Sequence, residues 1–293
     1  MNVLIPIQYG KRIYPYVIRP RLKEVAGHFD IHGLYPDMNY SLHTEYSYGP
    51  RKYSSFFVND LKNIVEANKN GIPMLWFNEA WANEFAYFIS NIASEKPPDI
   101  IEIHPPFNDY CGSISKFAQI YQVFEDKILA RYPNVNILIE NRFGSLYKGG
   151  RFLISKCEDL IELTNQIKKN SQQLGITLDI PQLITAYGGI SEFSVTDLGL
   201  LFDELIPIKE FVKGIHIWGK KRNEKRSWIY HVGDLTTYCD GNVEMKSCLL
   251  QNLFNLFDDN IPRYFVPEVN SNDEDLHSII QDLLNYHFSF LPP

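Results

Sequence analysis

The sequence predicts an α/β chain folded as a single-domain (β/α)8 TIM barrel over residues 1–293, and three observations lead to that class. Short runs rich in Val, Ile and Leu alternate with stretches of helical period from one end to the other. Eight such units in 293 residues give about 37 residues each, enough for a strand, a helix and two loops. No glycine-rich phosphate loop of the G-x-G-x-x-G or G-x-x-x-x-G-K type follows a strand, which disfavours an open nucleotide-binding sheet. The chain has no linker, no low-complexity segment and no repeat beyond the alternation itself.

In chain order, the strands are predicted at residues 2–8, 29–35, 72–77, 99–105, 135–141, 176–180, 212–218 and 264–269. Helices are predicted at 55–69, 113–131, 157–174, 195–211, 243–258 and 273–288. The second of these carries Ile114, Phe117, Ile120, Tyr121, Phe124 and Ile128 at the spacing of one helix face. The third opens on Glu158 and Asp159 and is expected to stop at Gly175. Two loops stand out. Residues 36–53 carry Tyr40, Tyr46, Tyr48 and Tyr53, as a substrate wall or as plain packing. Residues 220–226 hold five cations, as a solvated loop or a phosphate contact.

A hydrophobic content of 45% with 14% aromatics excludes intrinsic disorder. The net charge of −7 counts against general nucleic-acid binding. No run approaches the roughly 20 apolar residues of a membrane helix, and the start lacks a basic leader. Cys111, Cys157, Cys239 and Cys248 form no C-x-x-C pair and read as reduced thiols. A cytoplasmic protein without membrane contact is expected.

The candidate chemistry lies where strands end, the catalytic face of such barrels. Glu140, Asp179, His216 and Glu268 each close an apolar run, 39, 37 and 52 residues apart, so neighbouring strands would gather them. Three carboxylates buried together need a cation. Three oxygen donors and one imidazole suit Mn²⁺ or Zn²⁺, with Mg²⁺ and Co²⁺ also compatible. His104 shares a strand face with Glu102 by period two, either to contact substrate or as a packed histidine.

This order of Glu, Asp, His and Glu resembles the xylose isomerase-like superfamily, which includes sugar isomerases, ketose 3-epimerases and endonuclease IV, the AP endonuclease family 2 type. Glu140-Asn141-Arg142-Phe143-Gly144 is similar to the E-N-x-x-G of the endonuclease IV-like branch, and His104-Pro105 to its H-P-G. Gly214-Ile215-His216-Ile217-Trp218 and His231-Val232-Gly233-Asp234 resemble its H…H-x-G segment. The chain departs from the three-zinc pattern of endonuclease IV at Gln182, where that family has His, and at Ile229, where it has Asp. The third-strand His of that family also has no counterpart in residues 75–79. Gly219 replaces an acidic residue of many isomerases.

The resemblance implies one divalent ion held by Glu140, Asp179, His216 and Glu268, with the two glutamates doubling as the acid–base pair. His104, Gln182, His231 and Lys220 are the expected substrate contacts. The implied activity is isomerisation or epimerisation of a sugar, sugar phosphate or polyol next to a metal-polarised carbonyl. One alternative is an endonuclease IV-like phosphodiesterase, the only reading in which nucleic acid is a partner. Another is a non-catalytic barrel that binds a small carbohydrate. A homo-oligomer is compatible with all three.

Overall fold

The computed structural model describes residues 2–93, 95–143, 150–225 and 227–291. Gly144 of the E-N-x-x-G match and Arg226 of the basic run lie outside them. The barrel strands are β1 (Asn2–Gln8), β2 (Leu22–Gly27), β3 (Tyr40–Thr44), β4 (Ile100–Ile103), β5 (Asn136–Glu140), β6 (Gly175–Asp179), β7 (Val212–Ile217) and β8 (Arg263–Pro267). They follow one another around the sheet, and β8 pairs back onto β1. The fold class is therefore the expected α/β (β/α)8 TIM barrel. A short strand, Phe288–Phe290, adds to β1 outside the ring.

Two predicted strands are corrected. Residues 29–35 are not a strand; Phe29 instead packs against Tyr53, Trp81, Phe85 and Phe88. In residues 72–77 only Ile72–Pro73 is extended, in a two-residue hairpin with Asn68–Lys69. Trp76 then takes a left-handed φ of 58°, which ends any strand. The barrel positions belong to β2 and β3, hidden because Leu-Lys-Glu-Val-Ala-Gly and Tyr-Ser-Leu-His-Thr are not apolar runs. The long loop expected at 36–53 therefore contains β3.

The helices are shorter than expected. Residues 55–69 form only one helical turn or so, Lys62–Glu66. The helix Cys157–Asn170 ends at Ser171 in the left-handed conformation, and Gly175 opens β6. The segment 195–211 divides into Val195–Leu205 and a 3-10 turn, Ile206–Phe211. The cationic run 220–226 is no simple loop: Lys220–Arg222 pairs antiparallel with Trp228–Tyr230.

The chain forms two compact units, residues 1–24 with 177–293, and residues 25–176. In the central unit, β3, β4 and β5 are in parallel register, with His43 beside Glu102 and Ile103 beside Ile139. Its core is aromatic. Trp76 sits fully buried among Trp81, Phe85, Phe117, Tyr121 and Phe124.

In the terminal unit, β1 pairs with β8 and β8 with β7, setting Val266 beside His216. Gly214 has no room for a side chain, because a Cβ would meet Thr177 Oγ1 at 2.7 Å. At the start of β8, buried Arg263 donates from Nη1 and Nη2 to Asp259 at 2.9 and 2.7 Å. It also donates to the carbonyls of Val212, Ile261 and Lys209. Burial pushes the Asp259 carboxyl up, but the hydrogen bonds from Arg263 and from the Ile261 amide outweigh it and hold it below the usual range.

Asp259→Asn should cost about 2–4 kcal/mol by leaving the Arg263 charge buried and unpaired, read by urea unfolding. The depressed carboxyl contributes fully above its unfolded pKa of about 3.9 and is lost as pH falls through the lower folded value. The variant should therefore lose the part of the acid-side stability slope that lies below that pH.

Candidate active site

In the central unit the strand register assembles a cluster. One step beyond Ile103↔Ile139, His104 stands beside Glu140, and Nε2 lies 2.9 Å from Oε2. His43, abreast of Glu102, places Nδ1 3.4 Å from Oε1, and its ring centroid lies 4.6 Å from that of His104. His43, Glu102, His104 and Glu140 each offer a ligand atom within 4.8 Å of the others, a set that could hold a metal ion. The Glu140 and His104 side chains are fully buried.

His104 is fixed from three sides. Its Nδ1 faces the Glu45 carbonyl at 3.1 Å, and its own carbonyl accepts from Trp76 Nε1 at 2.7 Å. Burial lowers its pKa, against the opposing hydrogen bond with Glu140, so the ring is neutral at pH 7. A neutral imidazole has one ring proton, yet two acceptors face it. With Nδ1 donating to Glu45, the Nε2 lone pair points at a carboxylate, an arrangement that calls for a proton or a cation between them. A ligating histidine whose other nitrogen donates to a backbone carbonyl has this geometry. The donor set therefore fits a divalent metal.

The terminal unit brings three of the four predicted residues together. Asp179 ends β6 and caps the helix Ile180–Ala186, Oδ1 accepting from the Gln182 amide at 2.8 Å. Its Oδ2 accepts from Gln182 Nε2 at 3.0 Å and from Trp218 Nε1 at 2.9 Å. Asp179 and His216 offer ligand atoms within 4.8 Å. His216 Nδ1 lies 3.5 Å from Glu268 Oε1, and His231 Nδ1 lies 3.4 Å from Glu268 Oε2. Asp179, His216 and Glu268 are all buried.

The predicted contact residues fall in different settings. Gln182 is buried and turned onto Asp179. His231, at a left-handed φ of 59°, packs on Trp218 with ring centroids 4.5 Å apart. Lys220 is buried with Nζ 4.4 Å from the Trp228 ring and 4.9 Å from the Tyr238 ring; burial lowers its pKa. Gly219 cannot be acidic here, because a Cβ would lie 2.3 Å from the Gly233 carbonyl carbon.

Sequence reasoning missed His43 by misplacing the third strand. The absence of a third-strand histidine is thereby corrected: β3 carries one. The alternation of Tyr40, Leu42 and Thr44 around it was the available signal. Glu45 was also missed. Its buried carboxylate accepts from the Phe29 and Tyr46 amides and from Arg51 Nε at 2.6 Å.

No protein-family profile matches the chain, and no curated protein matches it in sequence. Among solved structures it is similar to a xylose isomerase domain protein from Alicyclobacillus acidocaldarius, at 10% identity over 97% of this chain and 98% of that one, with a TM-score of 0.47. It is similar to an AP endonuclease, family 2, from Brucella melitensis at 9% identity over 94% and 97%, TM-score 0.47. A xylose isomerase domain protein from Planctomyces limnophilus matches at 17% identity over 71% of this chain, TM-score 0.40; the chain covers 64% of that protein's length. No helix among the described residues is long and apolar enough to cross a membrane.

Gly219→Ala should lower stability by about 1–3 kcal/mol or prevent folding, since the backbone at Gly233 must move; thermal unfolding checks it. The His104 ring should titrate below the ordinary histidine range, read from its NMR ring shifts, because burial lowers its pKa.

Proposed function

We propose that the protein is a divalent-metal-dependent enzyme acting on a sugar, sugar phosphate or polyol by isomerisation or epimerisation. The observation that carries this is the buried convergence of Asp179, His216 and Glu268 within one unit. Two carboxylates and an imidazole, closed off from water, are a donor set for Mn²⁺ or Zn²⁺. Glu140 is the proposed fourth ligand. When bound, the ion supplies Lewis acidity to the carbonyl and hydroxyl oxygens of the substrate.

The protein's own groups would then do the proton work. Glu268 and Glu140 are the proposed acid–base pair, the first oriented by His216 and His231 and the second by His104. Asp179 is held by Trp218 and Gln182 and keeps its orientation through the cycle. His231 and Lys220 are the proposed contacts for substrate hydroxyls.

One observation favours a second reading. His43, Glu102, His104 and Glu140 form a further metal-competent cluster, and a content of two ions suits phosphodiester hydrolysis. Gln182 and Ile229 still lack the ligands that a third ion would need. This second reading is an endonuclease IV-like phosphodiesterase.

Ion content separates the two. Elemental analysis should find about one ion per chain in the first reading and about two in the second. Asp179→Asn or His216→Ala should empty the single site, and His43→Ala should leave it filled. In the second reading His43→Ala should instead halve the content. A filled site without solvent deuterium exchange into any ketose of a broad panel would sink the isomerase proposal.

A further inference from the structure

We infer that Arg142 and Arg51, gathered on the ring of Tyr46, bind a phosphate group carried by the substrate. The inference rests on the metal-dependent reading above and deepens it by naming a charge that the substrate carries. The Arg51 guanidinium carbon lies 4.2 Å from the Tyr46 ring centroid and that of Arg142 lies 5.3 Å from it. Two cations thus share one aromatic ring, which itself sits 5.7 Å from the ring of His104. The group is beside the candidate chemistry.

Their hydrogen bonding is incomplete. Among the described residues, Arg142 Nε and Arg51 Nη2 are buried atoms without a hydrogen-bond partner. Leaving such donors unmet is costly. Arg263, the structural arginine of this chain, donates from all three of its nitrogens. Arg51 is partly occupied, with Nε on Glu45 at 2.6 Å. Arg142 reaches Glu140 only at 3.4 Å, beyond the 2.7–2.9 Å or so of a strong charge-assisted bond. With Glu140 committed to an ion, Arg142 keeps no anion among the described residues.

A guanidinium fork matches phosphate oxygens two at a time, and a dianion matches two cations better than a carboxylate does. Lys220 is a weaker candidate for this role, because an ammonium is a point charge without the paired donors of a guanidinium fork.

The test is thermal unfolding of the full chain titrated with inorganic phosphate, and with acetate at equal ionic strength, with ion content measured on the same samples. Phosphate should raise the midpoint saturably, acetate should not, and Arg142→Gln should weaken the phosphate effect about tenfold or more without changing ion content. Should Arg142→Gln not fold, Arg142→Lys keeps the charge but not the fork and should weaken binding about threefold or more. Equal phosphate affinity in wild type and variant, no saturable effect in the wild type, or a preference for acetate overturns the inference. Ions without phosphate binding remove this inference alone; phosphate binding without ions supports it and removes the metal-dependent reading.

Discussion

Charge buried at strand ends is the constraint on which the rest of this molecule depends. Glu140, Asp179, His216 and Glu268 are all withdrawn from water, and an ionised carboxylate in such a place is tolerable only when something meets it. In each unit the surroundings supply part of the answer. Asp179 collects three N–H donors. Glu268 stands between two imidazoles, and Glu140 faces His104. Among them, buried His104 is held neutral and adds no positive charge beside Glu140. A divalent ion would supply it.

Parallel register makes the clustering possible. Residues abreast on neighbouring parallel strands point to the same face, so one pairing fixes the next. Ile103 beside Ile139 sets His104 beside Glu140, and His43 beside Glu102 places a second imidazole in the same neighbourhood. The aromatic core then pins the arrangement. Trp76, wedged among five aromatic rings, donates to the carbonyl of His104, so the packing beneath the strands holds the backbone that carries the site. In the terminal unit Trp218 plays a similar part, holding Asp179 with its N–H and packing its ring against His231.

Departures from the pattern that the sequence resembles acquire physical reasons. Gly219 is glycine because the backbone of Gly233 occupies the space of its side chain, so the acidic residue found there in many isomerases has no room. Gln182 uses its amide to hold Asp179, a role that a ligating histidine would not fill in the same way. Arg142, inside the E-N-x-x-G match, brings a cation to a position next to a candidate ligand.

The sequence by itself determined the fold class, the first and the last five barrel strands, and the four acidic and imidazole residues at the ends of the last four. An apolar stretch runs up to Glu140, Asp179, His216 and Glu268 in turn, so the acidic or imidazole residue that interrupts it was conspicuous. It also determined that His104 and Glu102 share a face, because strand periodicity is local. It did not determine β2 and β3, because Leu-Lys-Glu-Val-Ala-Gly and Tyr-Ser-Leu-His-Thr contain no apolar run, or the left-handed turn at Trp76 that removes the expected third strand. Only the tertiary structure decided that His43 joins Glu102 and His104, that Glu45 is buried, and that Arg51 meets Arg142 on Tyr46. Those relations join residues far apart in the chain, and hydrophobic patterning carries no record of which polar side chains meet across strands.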